Sequence, residues 1–218
     1  MSVTSNGTPA LVNVGTPSNA MTVTGSFPTG SSPAAGDLIV CVVSLYGSST
    51  AASVTQNTGT TGYSNPVTIT GTNCLVSIWT KTATGSDSAP TFAGATTGTA
   101  GDADMTVTIY DLSDPNGNTP VLDASGTATG TAAISAATTS TNVSQAGELA
   151  ICAVQVGQGT TTGTASWTTP TNWTLASAGN AQTATARPAP PQHSSQPKST
   201  REVSRRARVP RRHPRRCR

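Results

Sequence analysis

Aliphatic residues alternate with Thr and Ser in short bursts along much of this 218-residue chain, as in Thr106-Val107-Thr108-Ile109-Tyr110. A period of two is the signature of a β-strand, and it predicts Val and Ile on a core face with Thr on a wet face. The bursts predict strands over 11–14, 21–25, 37–46, 67–70, 74–82 and 105–112, then over 132–136, 140–143, 148–156 and 172–176. Turn chemistry separates them, as in Asn116-Gly117, Asn57-Thr58-Gly59 and Ser113-Asp114-Pro115. Residues 1–186 hold no helical-period window of useful length. Many short strands spaced by turns predict an all-β fold, an antiparallel β-sandwich or jelly roll.

The pattern repeats. Ala35-Gly36-Asp37-Leu38-Ile39-Val40-Cys41-Val42-Val43 reads against Ala146-Gly147-Glu148-Leu149-Ala150-Ile151-Cys152-Ala153-Val154, an offset of 111 residues. The same offset sets Val23 over Ile134 and Leu11 over Leu122. Gly62-Tyr63-Ser64 falls one residue out of step with Asn172-Trp173-Thr174. The expected organisation is a β-sandwich domain over 1–186 from two related halves, about 9–112 and 120–186. Each half would carry a turn ending in Gly and an acid, then a central strand buried on both faces. Where the second half should repeat the Cys74–Lys81 stretch, near Thr185, the chain turns into Arg187-Pro188-Ala189-Pro190-Pro191.

Charge divides at the same place. Residues 1–186 hold one base, Lys81, against eight acids, a net of −7, with no Arg and no His. Residues 187–218 hold ten Arg and Lys198 against Glu202, a net of +10, together with His193 and His213. The overall +3 therefore says little about either part. The tail 187–218 is expected to be an Arg/Pro-rich disordered extension, and three readings of it stand side by side. One is a nucleic-acid arm in which Arg205, Arg206, Arg208, Arg211, Arg212, Arg215 and Arg216 contact phosphates. Another is a solvated extension with no specific partner. The third is a shifted reading frame in GC-rich DNA, whose codons favour Arg, Pro and Ala; this one accounts best for an abrupt change that replaces expected strands.

Candidate chemistry is sparse in 1–186. Without His, Ser-His-Asp and Cys-His arrangements are excluded there. Asp102 and Asp104 are read as decorating a turn. The run from Asp111 through Asp114 and Asn116 to Asn118 is rich in oxygen ligands, but it lacks the spacing and closing Glu of an EF-hand, and a plain turn is expected. Cys41, Cys74 and Cys152 lie in apolar runs and read as buried free thiols, with no zinc spacing among the four cysteines. The triplets Thr22-Val23-Thr24, Thr68-Ile69-Thr70 and Thr106-Val107-Thr108 read as wet faces of separate strands. Trp79 reads as core, whereas Trp167 and Trp173 flank a turn and are the candidates for glycan contact. No catalytic, cofactor-binding or metal residue is assigned. The stretch from Met1 to Gly7 has neither a basic nor an apolar leader region, and the apolar run 38–43 is too short to span a bilayer. Synthesis in a host cytoplasm, with no membrane partner, is the expectation. Asn6-Gly7-Thr8 and Asn172-Trp173-Thr174 are then chance glycosylation triplets.

The order Ala35-Gly36-Asp37-Leu38, Gly62-Tyr63-Ser64, Ile78-Trp79-Thr80-Lys81-Thr82-Ala83, Tyr110-Asp111, Pro120-Val121-Leu122-Asp123, Gly147-Glu148-Leu149 and Asn172-Trp173-Thr174 resembles β-sandwich domains of tailed-bacteriophage virion proteins of the minor tail, head-fibre and capsid decoration types. The resemblance covers roughly residues 5–180. It implies a non-enzymatic structural or decoration protein, located in the virion, whose partners are other virion subunits or copies of itself. It carries over no functional residue, because these motifs are strand starts and core anchors. The alternative expectation is a carbohydrate-binding or adhesion module on a phage fibre or cell surface, with a glycan as partner. Nucleic acid would be a partner only through the tail.

Overall fold

The computed structural model describes residues 3–13, 19–47, 53–57, 62–71, 74–96, 104–123, 125, 127, 148–154, 174–178 and 192–197. The fold is all-β, with no helix among the described residues. Twelve strands are present among them: β1 (Thr4–Ser5), β2 (Leu11–Asn13), β3 (Ala20–Thr24), β4 (Leu38–Tyr46), β5 (Ser53–Gln56), β6 (Ser64–Thr70), β7 (Cys74–Thr82), β8 (Thr91–Ala95), β9 (Asp104–Ser113), β10 (Leu149–Val154), β11 (Thr174–Ala178) and β12 (Gln192–Pro197). The predicted strands over 132–136 and 140–143 lie outside the described residues.

A six-stranded sheet runs β1-β9-β4-β7-β6, with β2 following β1 along the same edge of β9. A small sheet runs β3-β8-β5, and a third runs β10-β12-β11. All pairings are antiparallel. At the centre, β4 pairs over its full length with both β7 and β9, placing Cys41 opposite Trp79 and Ile109, and Val43 opposite Ser77 and Val107.

The large and small sheets close a β-sandwich. Ile39, Cys41, Val43, Leu45, Leu75, Met105, Val107 and Ile109 form one core with Met21 and Val23 of β3 and Phe92 of β8. Each fully buried aliphatic side chain in such a core stabilises by about 1.5–3 kcal/mol. The layers meet closely at Gly25, where a Cβ would stand 2.5 Å from Ile109 Cδ1 and 3.1 Å from Val107 Cγ1. Trp79 and Phe92 pack with ring centroids 5.5 Å apart, and Tyr63 meets Phe92 edge-on at 6.4 Å.

The other face of the large sheet is covered as well. Leu38, Val40, Val42, Val76, Tyr110 and Leu112 form a second cluster, and Leu149, Ile151 and Ala153 of β10 pack against it. This corrects one expectation. Thr22, Thr24, Thr68 and Thr70 are exposed, but Thr106 and Thr108 are buried, at 5% and 0% exposure. Alternation marks which residues share a face, and a face holding Thr can still be covered by a further layer.

Two further features of the second half stand out. β4 is buried on both faces, whereas its counterpart β10 is only partly buried and, among the described residues, pairs with β12 alone. Within the stretch assigned to the basic tail, Gln192–Pro197 forms the middle strand of the third sheet. Ladder pairing uses backbone groups that every residue except Pro carries in full, so even Gln-His-Ser-Ser-Gln-Pro can serve as a strand. The rest of 187–218 lies outside the described residues.

Candidate functional site

The densest group of polar side chains sits where the start of β4 meets the end of β9. It begins with a turn that the sequence dictates. Asp37 N–H donates to Ala34 C=O at 3.1 Å, and Gly36 between them has φ +96°, a left-handed conformation that favours glycine. Asp37 Oδ2 accepts the Ala34 N–H at 2.8 Å, which closes the turn from the other side. Gly36 N–H donates to Ala83 C=O and Ala83 N–H to Asp37 C=O, so β7 clamps the same corner.

Asp111 lies beside it. The core-facing period of β9 runs Met105, Val107, Ile109 and then Asp111, and the register sets Asp111 opposite Ile39. Asp111 is 1% exposed. Ser31 Oγ donates to its Oδ2, while its Oδ1 has no hydrogen-bond partner. Asn6 joins the segments: its N–H donates to Asp111 C=O at 2.7 Å, its Nδ2 to Asp37 Oδ2 at 3.4 Å, and its Oδ1 accepts from Ser113 Oγ at 2.8 Å. Burial pushes the Asp111 carboxyl above the usual carboxylate range, and the nearby Asp37 carboxylate pushes the same way, against the hydrogen bonds from Ser31 and Asn6. The grouping ties the turn before β4, the end of β9 and the N-terminal segment together. Among the described residues no three acids, cysteines or histidines gather as a metal site.

A second group surrounds Lys81. Its Nζ lies 2.7 Å from Asp87 Oδ1 and 5.4 Å from the centroid of the Tyr63 ring. Asp87 Oδ2 also accepts the Thr84 N–H at 2.6 Å and the Thr84 hydroxyl at 2.9 Å. Burial raises the Asp87 pKa, but the bonds from Lys81 and Thr84 outweigh it and hold the carboxyl below its ordinary value. The base therefore secures the turn after β7.

The oxygen-rich run after β9 is a turn, as the spacing suggested. Asp114 Oδ1 accepts the Asn116 N–H at 3.0 Å and its side-chain amide at 2.9 Å, and Oδ2 accepts the Asn118 amide at 2.7 Å. Both carboxylate oxygens are turned inward onto the loop. Asp104 Oδ1 accepts the Met105 N–H at 2.8 Å, and Asp102 lies outside the described residues. Cys41 is fully buried, and burial pushes its thiol far above the ordinary value; Cys74 and Cys152 are half-buried rather than buried, because each lies nearer an edge of the layers. None of these three cysteines is in a disulfide. Trp79 packs on the core, with its Nε1–H donated to Ser77 Oγ at 2.9 Å.

Trp167, Trp173 and the arginines from Arg205 to Arg216 lie outside the described residues, so the structure does not place them. The Asp37–Asp111 grouping was not singled out from the sequence. Its signal was present: Asp111 is a carboxylate on the inward period of an otherwise apolar strand. No family model, curated protein or solved structure matches this chain.

Proposed function

We propose that this protein is a non-enzymatic structural or decoration subunit of a bacteriophage virion, a head or tail component that works among other virion subunits or copies of itself. The observation that carries the reading is the use made of the ionisable groups. Asp37, Asp87, Asp104, Asp111, Asp114 and Lys81 each engage turns, strand ends or one another. Groups committed in this way fasten a scaffold. The β-sandwich and the motif order that resembles virion β-domains support the same reading.

Mass spectrometry of purified native particles, with immunogold labelling in electron microscopy, tests it. A defined copy number at a fixed position on head or tail is the expected result. Absence from washed particles, with the protein found only in the lysate, would overturn it. A glycan array on the same preparation addresses adhesion; saturable binding lost in Trp173→Ala would replace the structural reading with the carbohydrate-binding one.

A further inference from the structure

The two acids at the start of β4 and the end of β9 lie close enough to need something between them. Leu38 stands opposite Leu112, so Asp37, one residue earlier, comes diagonal to Asp111 across the ladder. The Asp111 carboxyl is within hydrogen-bonding range of the Asp37 carboxyl. Two carboxylates repel at that range, whereas a carboxyl and a carboxylate bond through the proton they share. Asp111 Oδ1, buried and without another partner, can carry that proton. Among the described residues, Asp37 is the one titratable group that bears on Asp111. Ser31, Asn6 and Ser113, which face the pair from the other segments, are neutral. Lys81 is tied to Asp87, and Asp114 is turned onto its own loop.

The structure around the pair is strong on one side and weak on the other. On the strong side, β4 is paired along its full length with β7 and β9. On the weak side lie residues 4–8 and the loop 28–31. Thr4 and Ser5 make two ladder pairs with β9, and Thr8 meets Thr29 in an isolated bridge. Thr4, Ser5, Gly7, Thr8, Thr29 and Gly30 are exposed. Each segment is pinned to the acids by one side chain. Asn6 Nδ2 donates to Asp37 Oδ2 at 3.4 Å, and Ser31 Oγ donates to Asp111 Oδ2. Local opening takes the route with the fewest buried contacts, and here that route is the N-terminal segment.

We infer that residues 4–8 form a proton-dependent strap: one proton shared by Asp37 and Asp111 holds it down, and loss of that proton lifts it, together with residues 28–31, from the end of β9. Ionisation leaves two negative charges beside each other, and water reaches them by displacing the strap. The bond from Asn6 N–H to Asp111 C=O is then lost. The raised pKa of Asp111 gives the direction, with the strap down in acid and released as pH rises through the folded value. The inference is independent of the virion reading.

Amide hydrogen exchange on the full chain tests it, read as protection factors from about pH 4 to about pH 8. The amides of Asn6 and Thr29 donate to Asp111 C=O and Thr8 C=O. Both should lose protection by at least about tenfold as pH rises, while residues 40–45 of β4 stay protected. Asp111→Asn keeps a neutral side chain that can bond Asp37, and should leave Asn6 and Thr29 equally protected across the range. Where that buried substitution also weakens β4, Asp37→Asn on the half-buried turn takes its place, and it too should remove the pH dependence. Asn6 protection independent of pH in the parental chain would overturn the inference. The parental pH dependence persisting in both Asn variants would overturn it as well. Loss of protection in β4 together with Asn6 would mean general unfolding in place of a strap, and would also overturn it.

Discussion

On the face of β4 and β9 turned toward the small sheet, Cys41, Val43 and Leu45 stand opposite Ile109, Val107 and Met105. One residue along, on the other face, Val40, Val42 and Ser44 stand opposite Tyr110, Thr108 and Thr106. Both faces are buried, Ile109 and Thr108 alike at 0% exposure. Over these six residues the first face buries carbon and sulfur only. The second also buries the hydroxyls of Ser44 and Thr108, which have no hydrogen-bond partner. Equal burial therefore does not mean equal contribution: an aliphatic group gains from leaving water, whereas an unpaired hydroxyl loses about 1–3 kcal/mol on the same transfer.

The comparison can be broken from its strong side first. Ile109→Ala should cost about 2–5 kcal/mol, because it removes core carbons and leaves a cavity between two sheets. Urea denaturation measures this, and a loss below about 1 kcal/mol would mean that the inner face does not dominate. Next in size, Gly25→Ala should cost about 1–3 kcal/mol by overpacking. Its new Cβ would stand 2.5 Å from the same Ile109 side chain, and a lowered melting midpoint is the readout. An unchanged midpoint would show that the layers can part freely there.

Asp111 sharpens the comparison through pH. Its folded pKa is raised, first by burial and then by Asp37. The folded state thus binds the proton more tightly than the unfolded chain. This contribution is fully present below the ordinary aspartate pKa of about 3.9 and is lost as pH rises through the folded value. Asp111→Asn should flatten that part of the stability–pH curve, as followed by denaturant midpoints across the acid range. A slope identical to that of the parent chain would exclude Asp111 as its source. The smallest effect, and one of opposite sign, belongs to Thr108→Val. It keeps the shape and removes an unpaired buried hydroxyl, so stability should rise by about 1 kcal/mol. A clear loss in the same denaturation assay would show that the hydroxyl is satisfied in solution.

Much of the sandwich was legible in the sequence, because β3 of the small sheet and β4, β7 and β9 of the large one combine strict alternation or a continuous apolar run with turn residues at both ends. β8 was not, since Thr-Phe-Ala-Gly-Ala has one large apolar residue. Phe92 nonetheless lies at 0% exposure against Trp79 and Tyr63. β5, Ser-Val-Thr-Gln, was too short and polar to register. The burial of Thr106 and Thr108 was illegible for a different reason: pattern reports the period of a strand and is silent about how many layers cover it. The Asp37–Asp111 grouping depends on the register that sets Asp111 opposite Ile39, 72 residues away in sequence, which no local pattern encodes.

The first strand of the chain has a consequence for biosynthesis. β1 pairs with the far end of β9, Thr4 opposite Ser113, a separation of 109 residues. A ribosome adds about 5–20 residues per second, so Thr4 waits on the order of 5–20 s before its partner is made. Through that interval the N-terminal segment has no ladder to join, and Asn6 has neither Asp111 nor Ser113 to bind. The β1–β9 ladder and the bonds from Asn6 to Asp111 and Ser113 can therefore form only once β9 has been made, later in synthesis than both strands of the β4–β7 pair.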